Sequence, residues 1–243
     1  MTTSNVLMTG GTGFVGSWME KKKPEGFNLW AMNSDDYENT LIESITGLKY
    51  IIHLANVNPE PAIECARRNN ARLLYCSSGI IYHSENNTEY RQNKVKWETD
   101  CLQSGVDVVI ARLFTFFGAG LDDNKAIVAL FKAARTGKPL MIYGERTYEH
   151  PAVVRSYMHG REMARWMWAI LLHGQNGECY DVGSDKPTSI LRLAQRIKRL
   201  TKTTSQIEFF NGIIPNPYYL PFDTEKTKAL LVLDNNSYRN QKD

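Results

Sequence analysis

Three glycines spaced three apart, Gly10, Gly13 and Gly16, stand in the run Thr9-Gly10-Gly11-Thr12-Gly13-Phe14-Val15-Gly16, directly behind a short apolar stretch from Asn5 to Thr9. The apolar stretch reads as a buried strand, and the residues from Phe14 to Glu20 can open a helix, so the order is strand, turn, helix. Glycine at such a turn lets the backbone reverse sharply and approach a pyrophosphate, whose charge meets the amides and the dipole at the helix start. A chain that begins this way is directed toward an open α/β sheet.

The remainder of the first half keeps the same rhythm. Short apolar strands are predicted at Phe27–Met32, Tyr50–Leu54, Arg72–Cys76 and Val106–Arg112, with helix-compatible segments around Tyr37–Ile45, Pro59–Arg68 and Thr88–Leu102 between them. This alternation predicts a parallel sheet with helices on both faces. After Phe117-Gly118-Ala119-Gly120 the texture changes to a helix over Lys125–Thr136, a strand at Leu140–Tyr143, a polar loop through His150, and helices over Gly160–Leu172 and Thr188–Leu200. A tail with Pro215, Pro217 and Pro221 leads to a last helix over Thr224–Leu231. The expected architecture is a doubly wound, Rossmann-like core over residues 1–120. Residues 121–243 form mainly a smaller carboxy-terminal lobe for substrate, with room for segments that return to the core sheet. The lobe is expected beside the carboxyl edge of the strands, where open α/β sheets bind ligands.

Charge narrows the partners. The 243 residues carry 29 Lys plus Arg against 26 Asp plus Glu, a net charge of +3, and the two signs are interspersed. That distribution has neither a nucleic-acid nor a membrane footprint, and it suits a small anionic substrate. Cys65, Cys76, Cys101 and Cys179 are scattered singly with no His at metal-ligand spacing, which reads as no metal site and a reducing cytoplasm. Met1 to Met8 is too short and polar for a signal peptide, and the longest apolar stretch, Trp166 to Leu172, is too short to span a bilayer.

Two further patterns carry chemistry. Tyr90-Arg91-Gln92-Asn93-Lys94 puts a phenol and an ammonium four residues apart, on one face of a predicted helix. A cation beside a phenol favours phenolate, so Tyr90 is a candidate general acid and base. Tyr75-Cys76-Ser77-Ser78-Gly79 ends a predicted strand, where doubly wound folds keep reactive side chains, and Ser78 precedes Tyr90 by twelve residues.

With these residues together, the chain resembles the extended short-chain dehydrogenases/reductases, specifically the NAD-dependent epimerases and dehydratases that act on nucleotide sugars. The resemblance rests on the glycine run, on His53-Leu54-Ala55-Asn56, on Ser77-Ser78-Gly79, on Tyr90 with Lys94, and on Ala111-Arg112-Leu113-Phe114-Thr115-Phe116-Phe117-Gly118. Arg155-Ser156-Tyr157-Met158-His159 and Tyr180-Asp181-Val182-Gly183-Ser184 look like its substrate-lobe signatures. It implies that Gly10, Thr12, Gly13, Phe14, Val15 and Gly16 hold the dinucleotide phosphates and that Leu54, Ala55 and Asn56 line the cofactor cleft. Lys94 would also bind the nicotinamide ribose, with Leu113 and Phe114 packed against the nicotinamide. Ser78 and Tyr90 would hydrogen-bond the reacting sugar hydroxyl, Thr115 would contact substrate, and Arg155 would pair with the nucleotide diphosphate. A cytoplasmic homodimer that epimerises a nucleotide-linked sugar is implied, with 4-keto reduction or a non-catalytic NAD(P)-binding module as alternatives.

Some stretches depart from the family's pattern. Between Gly16 and His53 the chain is short by about one βα unit, so Phe27–Asp36 fits either the second strand, whose end reads the adenosine ribose, or the third, which touches adenine. Asp35 would favour NAD, whereas Asn33 and Ser34 would tolerate the 2′-phosphate of NADP. Gly79, Ile80 and Ile81 stand where sugar dehydratases place an Asp-Glu pair, which favours epimerisation or reduction over loss of water. The second diphosphate-binding arginine of the family has no counterpart in Asn216-Pro217-Tyr218-Tyr219-Leu220-Pro221. Elsewhere bland readings apply: Lys21-Lys22-Lys23 is a solvated helix end, His53 is structural, and Met163, Trp166, Met167 and Ile170 form a core or interface row with Trp168 on another face.

Overall fold

The central strand β1 (Ser4–Thr9) sends Val6 and Met8 to one face of the sheet and Leu7 to the other, all three fully buried. Both faces of this strand are therefore covered, as an apolar run bounded by glycine requires. In this computed structural model residues 3–33, 45–85, 87–143, 153–210 and 218–239 are described, with side chains as far as 233. Ser34, Asp35 and residues 37–44 of the predicted second helix lie outside the described residues.

β1 pairs in parallel with β2 (Phe27–Met32) on one side and β3 (Tyr50–His53) on the other. β4 (Arg72–Ser78), β5 (Val108–Leu113) and β9 (Cys179–Val182) extend the sheet to the order β2-β1-β3-β4-β5-β9, all parallel. The two placements open for Phe27–Asp36 are resolved, because Phe27–Met32 hydrogen-bonds β1 directly. The chain leaves β1 for one side and returns on the other, which makes the β1/β3 junction the switch point of the sheet. Thr9 and His53 are partners there, and the glycine turn begins at the next residue.

Helices α1 (Phe14–Lys21), α5 (Gly160–His173) and α7 (Glu225–Arg239) cover the Val6/Met8 face, where Met19, Met163, Trp166, Met167 and Leu230 join Ile52, Leu74 and Val109. Trp168, expected off the row formed by its neighbours, is buried as well and donates its indole N–H to the Met19 carbonyl at 3.0 Å. α2 (Glu60–Asn69) and α3 (Glu89–Gln103) cover the Leu7 face through Ala62, Ile63, Cys65, Ala66 and Cys101. Each fully buried aliphatic side chain contributes roughly 1.5–3 kcal/mol.

The second half builds a smaller lobe around its own cluster. α4 (Ala126–Thr136) and α6 (Ile190–Thr201) bury Leu130, Ala134, Leu193 and Ile197 against the parallel pair β7 (Leu140–Tyr143) and β11 (Ile207–Phe210). β8 (Val154–His159) joins the lobe to the core by pairing with β6 (Thr115–Phe117), β10 (Pro187–Ser189) and β12 (Tyr218–Tyr219). Among the described residues no helix is long and apolar enough to cross a membrane.

Candidate active site

A cavity of about 1340 Å³ opens at the carboxyl ends of β4 and β5 and runs between the core and the smaller lobe. Phe14 and Val15 of the glycine turn, Leu54 and Asn56 after β3, and Leu113 and Phe114 after β5 line its core side. Ser78, Tyr90 and Lys94 line it together, and Thr115 and Arg155 reach it from β6 and β8. Thr12 is exposed on the turn and Ala55 is buried behind Gly10, and these two, like Gly10, Gly13 and Gly16 themselves, stand outside the lining. Its charged lining consists of Lys94, Lys125 and Arg155, with no carboxylate among the described residues.

Local structure explains how the reactive side chains meet. Ser78 is the last residue of β4 and caps the short 3₁₀ turn Gly79–Tyr82, its hydroxyl accepting the Ile80 amide at 3.3 Å. Thr88 caps α3 in the same way, accepting from the Arg91 amide, and this fixes where Tyr90 and Lys94 emerge. Lys94, Glu98 and Cys101 form the buried stripe of α3. A buried ammonium on a core-facing stripe needs partners. Lys94 Nζ donates to the Cys76 carbonyl at 3.0 Å and lies 5.3, 5.8 and 5.8 Å from the rings of Tyr75, Tyr90 and Trp97. Burial pulls its pKa below the ordinary lysine value.

The Tyr90 phenol differs from the expectation of a ready phenolate. Burial pushes it above the ordinary tyrosine value, and only the Ser78 hydroxyl pulls in the opposite direction. The reason is geometric: the Lys94 charge is held over ring carbons and by a carbonyl, not at the phenol oxygen.

Whether the turn fits a dinucleotide is tested by its backbone. Gly10 has φ +70°, and a Cβ there would stand 2.8 Å from the Ala55 nitrogen; at Gly16 it would stand 2.5 Å from the Gly11 carbonyl oxygen. The turn therefore packs against β3's outgoing loop as only glycines allow. No side chain caps α1, which leaves its first-turn amides for an anion. These features fit the pyrophosphate of the cofactor, with Phe14 and Val15 at its edge.

Several lining residues were not anticipated. Tyr219, at the end of β12, places its hydroxyl 2.9 Å from Ser78 Oγ and 3.2 Å from the Leu113 carbonyl, with its ring 5.1 Å from that of Phe114. It comes from the very segment searched for an arginine, 141 residues from Ser78, and no local pattern marks it. Ser77 Oγ is buried, lines the cavity and has no hydrogen-bond partner. Gly79 is required by Phe114, since a Cβ would lie 2.3 Å from a ring carbon. Behind the site, Tyr82 donates to Asp181 at 2.9 Å and accepts from Arg112 at 2.7 Å, while Arg112 pairs with the buried Glu98.

Comparison with known proteins bears on the same region. Residues 43–183, from before β3 to the residue after β9, match the model of the NAD-dependent epimerase/dehydratase family. The chain belongs to that family. Its members are enzymes, and the family is NAD-dependent, in keeping with the turn and cleft described above. The UDP-glucuronic acid decarboxylase 1 of Danio rerio is 25% identical over 292 aligned residues, covering 93% of this chain and 68% of that protein. That span exceeds the chain's own 243 residues, so the fish protein carries segments that this chain lacks. The UDP-glucuronic acid 4-epimerase of Bacillus cereus, solved with UDP-glucuronic acid and NAD, superposes with a TM-score of 0.78 at 18% identity, over 94% of this chain and 93% of that one. A UDP-N-acetylglucosamine 4-epimerase from Methanobrevibacter ruminantium gives a TM-score of 0.80 at 18% identity, over 95% and 92%. At such identities these structures speak for the fold, and they support the doubly wound expectation.

Proposed function

We propose that the protein is an NAD-dependent epimerase of a nucleotide-linked sugar, with Tyr90 as its acid and base. The observation that carries the reading is the convergence of Ser78, Tyr90 and Lys94 on one cavity that also reaches the glycine turn and Arg155. Gly10, Gly13 and Gly16, with the backbone of Phe14 and Val15, would hold the cofactor phosphates, and Lys94 the nicotinamide ribose. NAD, when bound, supplies a hydride acceptor and donor at the sugar carbon. Tyr90 Oη takes the proton of the reacting hydroxyl as that carbon is oxidised and gives it back when the carbon is reduced from its other face. Ser78 orients the hydroxyl, and Lys94 adds positive charge beneath the Tyr90 ring. The guanidinium of Arg155, half-buried at the lobe side, would meet the diphosphate.

UDP-glucuronic acid appears in the names of both the decarboxylase relatives and the Bacillus structure, and it is the first substrate to offer. A cavity with cations and no carboxylate in its described lining suits an anionic sugar nucleotide. Decarboxylation would begin with the same oxidation but then needs a proton donor at the neighbouring carbon; Gly79 and Ile80, which follow Ser78, supply none.

The test incubates the purified chain with NAD and UDP-glucuronic acid and separates the sugars by chromatography. A 4-epimer is expected, and Tyr90→Phe should lower kcat/KM by about 10²–10⁴-fold, the usual contribution of a positioned acid-base group. Turnover unchanged in Tyr90→Phe would refute the mechanism, and no conversion of any nucleotide sugar would refute the enzyme reading. The reading also carries a cytoplasmic homodimer. The four cysteines are free, as a reducing compartment requires, and sedimentation should give twice the 27.7 kDa of the chain.

A further inference from the structure

Trp18 joins the helix behind the glycine turn to the opposite wall of the cavity. It lies on α1, one turn beyond Phe14, and its indole fills a slot between two glycines, Gly118 and Gly160. A Cβ at Gly160, the first residue of α5, would stand 2.5 Å from indole Cδ1 and Nε1, and one at Gly118 would stand 3.2 Å from Cζ2. The His159 ring meets the indole edge-on at 5.0 Å, Lys21 Nζ lies over it at 5.2 Å, and Nε1 donates to the Ala119 carbonyl at 3.2 Å. Ala119 belongs to the run 118–125 between β6 and α4, and Leu121, Asn124 and Lys125 of that run line the cavity. Within the run the Leu121 amide donates to the Gly118 carbonyl at 3.3 Å and the Lys125 amide to the Asp122 carbonyl at 3.1 Å, while Asp123 pairs with Lys132 of α4. These bonds shape the run and tie it to the lobe; Trp18 ties it to α1.

We propose that Trp18 is a positioning residue which couples the two ligand positions, given the reading of the cavity as a site for NAD and a nucleotide sugar. With the dinucleotide phosphates at the start of α1, the indole holds the run 118–125 in place for the sugar nucleotide. α1 has eight residues, about two turns, so an anion held by its first-turn amides fixes the whole helix, Trp18 included. The second ligand then meets a wall that is already ordered and loses less conformational entropy on binding. The effect is reciprocal: UDP tightens NAD by the same factor that NAD tightens UDP.

Isothermal titration calorimetry of UDP into the nucleotide-free and the NAD-saturated protein gives two Kd values, and their ratio is the readout. In the wild type NAD should tighten UDP by about fivefold or more. Trp18→Leu empties the slot and removes the donor; it should bring the ratio to about one and leave the Kd of NAD in the absence of UDP within about twofold of wild type. Trp18→Phe keeps a ring in the slot without the bond to Ala119, and its ratio should lie between the two. A residue that only supports the fold would lower Tm, or weaken each ligand, and leave the ratio unchanged. A wild-type ratio near one overturns the proposal, as does a wild-type ratio that survives in Trp18→Leu, or in Trp18→Phe should the leucine variant fail to fold. Those results leave the functional reading intact. UDP that binds neither form of the wild type would refute the functional reading and this coupling with it.

Discussion

His53 illustrates how a polar residue can be required by the fold at the edge of the cavity without entering it. Its ring is fully buried, with Nδ1 2.9 Å from Thr9 Oγ1 and Nε2 3.3 Å from the Val57 carbonyl. The carbonyl accepts only, which places the ring proton on Nε2 and makes Nδ1 the acceptor of the Thr9 hydroxyl. Thr9 Oγ1 in turn faces the Ala55 amide at 3.5 Å, so the neutral imidazole secures the loop after β3 on which Leu54 and Asn56 enter the cavity. Burial lowers the His53 pKa to about 4. In the unfolded chain histidine titrates near ~6.5, so between those values only the unfolded state gains the proton. Stability should therefore fall as pH drops from about 6.5 toward 4, by roughly 3 kcal/mol from this group. Urea unfolding across that range, compared with His53→Gln, checks it: the variant's curve should be flatter, and parallel curves would contradict the assignment. At this scale the sequence was most legible where spacing is local. Ser78, Tyr90 and Lys94 are separated by twelve and four residues on consecutive elements, and they do meet. Tyr219 reaches Ser78 only through tertiary structure, and the meaning of Gly79 depends on a Phe114 ring that no pattern places there.

Among elements, legibility follows how each one obtains its stability. The strands at Phe27–Met32 and Leu140–Tyr143 coincide with the apolar runs that predict them, and those of the core agree within two residues. α2, α3 and α5 likewise match to about a residue, because capping and apolar spacing mark them locally. β8 and β9 escape such reading. Val154–His159 alternates buried and half-buried positions with Arg155, Ser156 and His159 among them, and its stability comes from three partner strands. β9 carries Asp181 in a buried strand, where a carboxylate is unfavourable unless satisfied. It is satisfied at long range, by the Tyr82 hydroxyl and by the Phe222 and Asp223 amides at 2.6 and 3.1 Å. Burial still raises its pKa above the ordinary aspartate value. That carboxylate holds the segment just after β12 to the core and so keeps Tyr219 at Ser78. Arg112, which also donates to Tyr82, ties β5 to α3 through Glu98, one turn from Lys94. The polar residues of these elements thus form the frame of the site, and a reading by hydrophobic pattern passes over them.

For the molecule as a whole, the cavity has two walls of different origin. The core contributes the glycine turn and the ends of β3, β4 and β5; the second half contributes Lys125, Arg155, Tyr157 and Ile190. If the core wall takes the cofactor and the lobe wall the sugar nucleotide, binding should stabilise the protein in two separable steps. A ligand present at one hundred times its Kd adds about 2.7 kcal/mol to a single-site fold. For a chain of this size each kcal/mol corresponds to about 2–4 °C in Tm. NAD alone should therefore raise Tm by roughly 5–10 °C, and UDP added to the NAD complex should raise it again. Arg155→Ala removes a guanidinium from the lobe wall and nothing from the glycine turn, so the first increment should persist and the second should shrink. Loss of both increments together would mean that the two walls do not divide the ligands in this way, and a UDP increment untouched in Arg155→Ala would remove the diphosphate from that residue. Differential scanning fluorimetry on four samples, wild type and variant with NAD and with NAD plus UDP, against unliganded controls, decides between these outcomes.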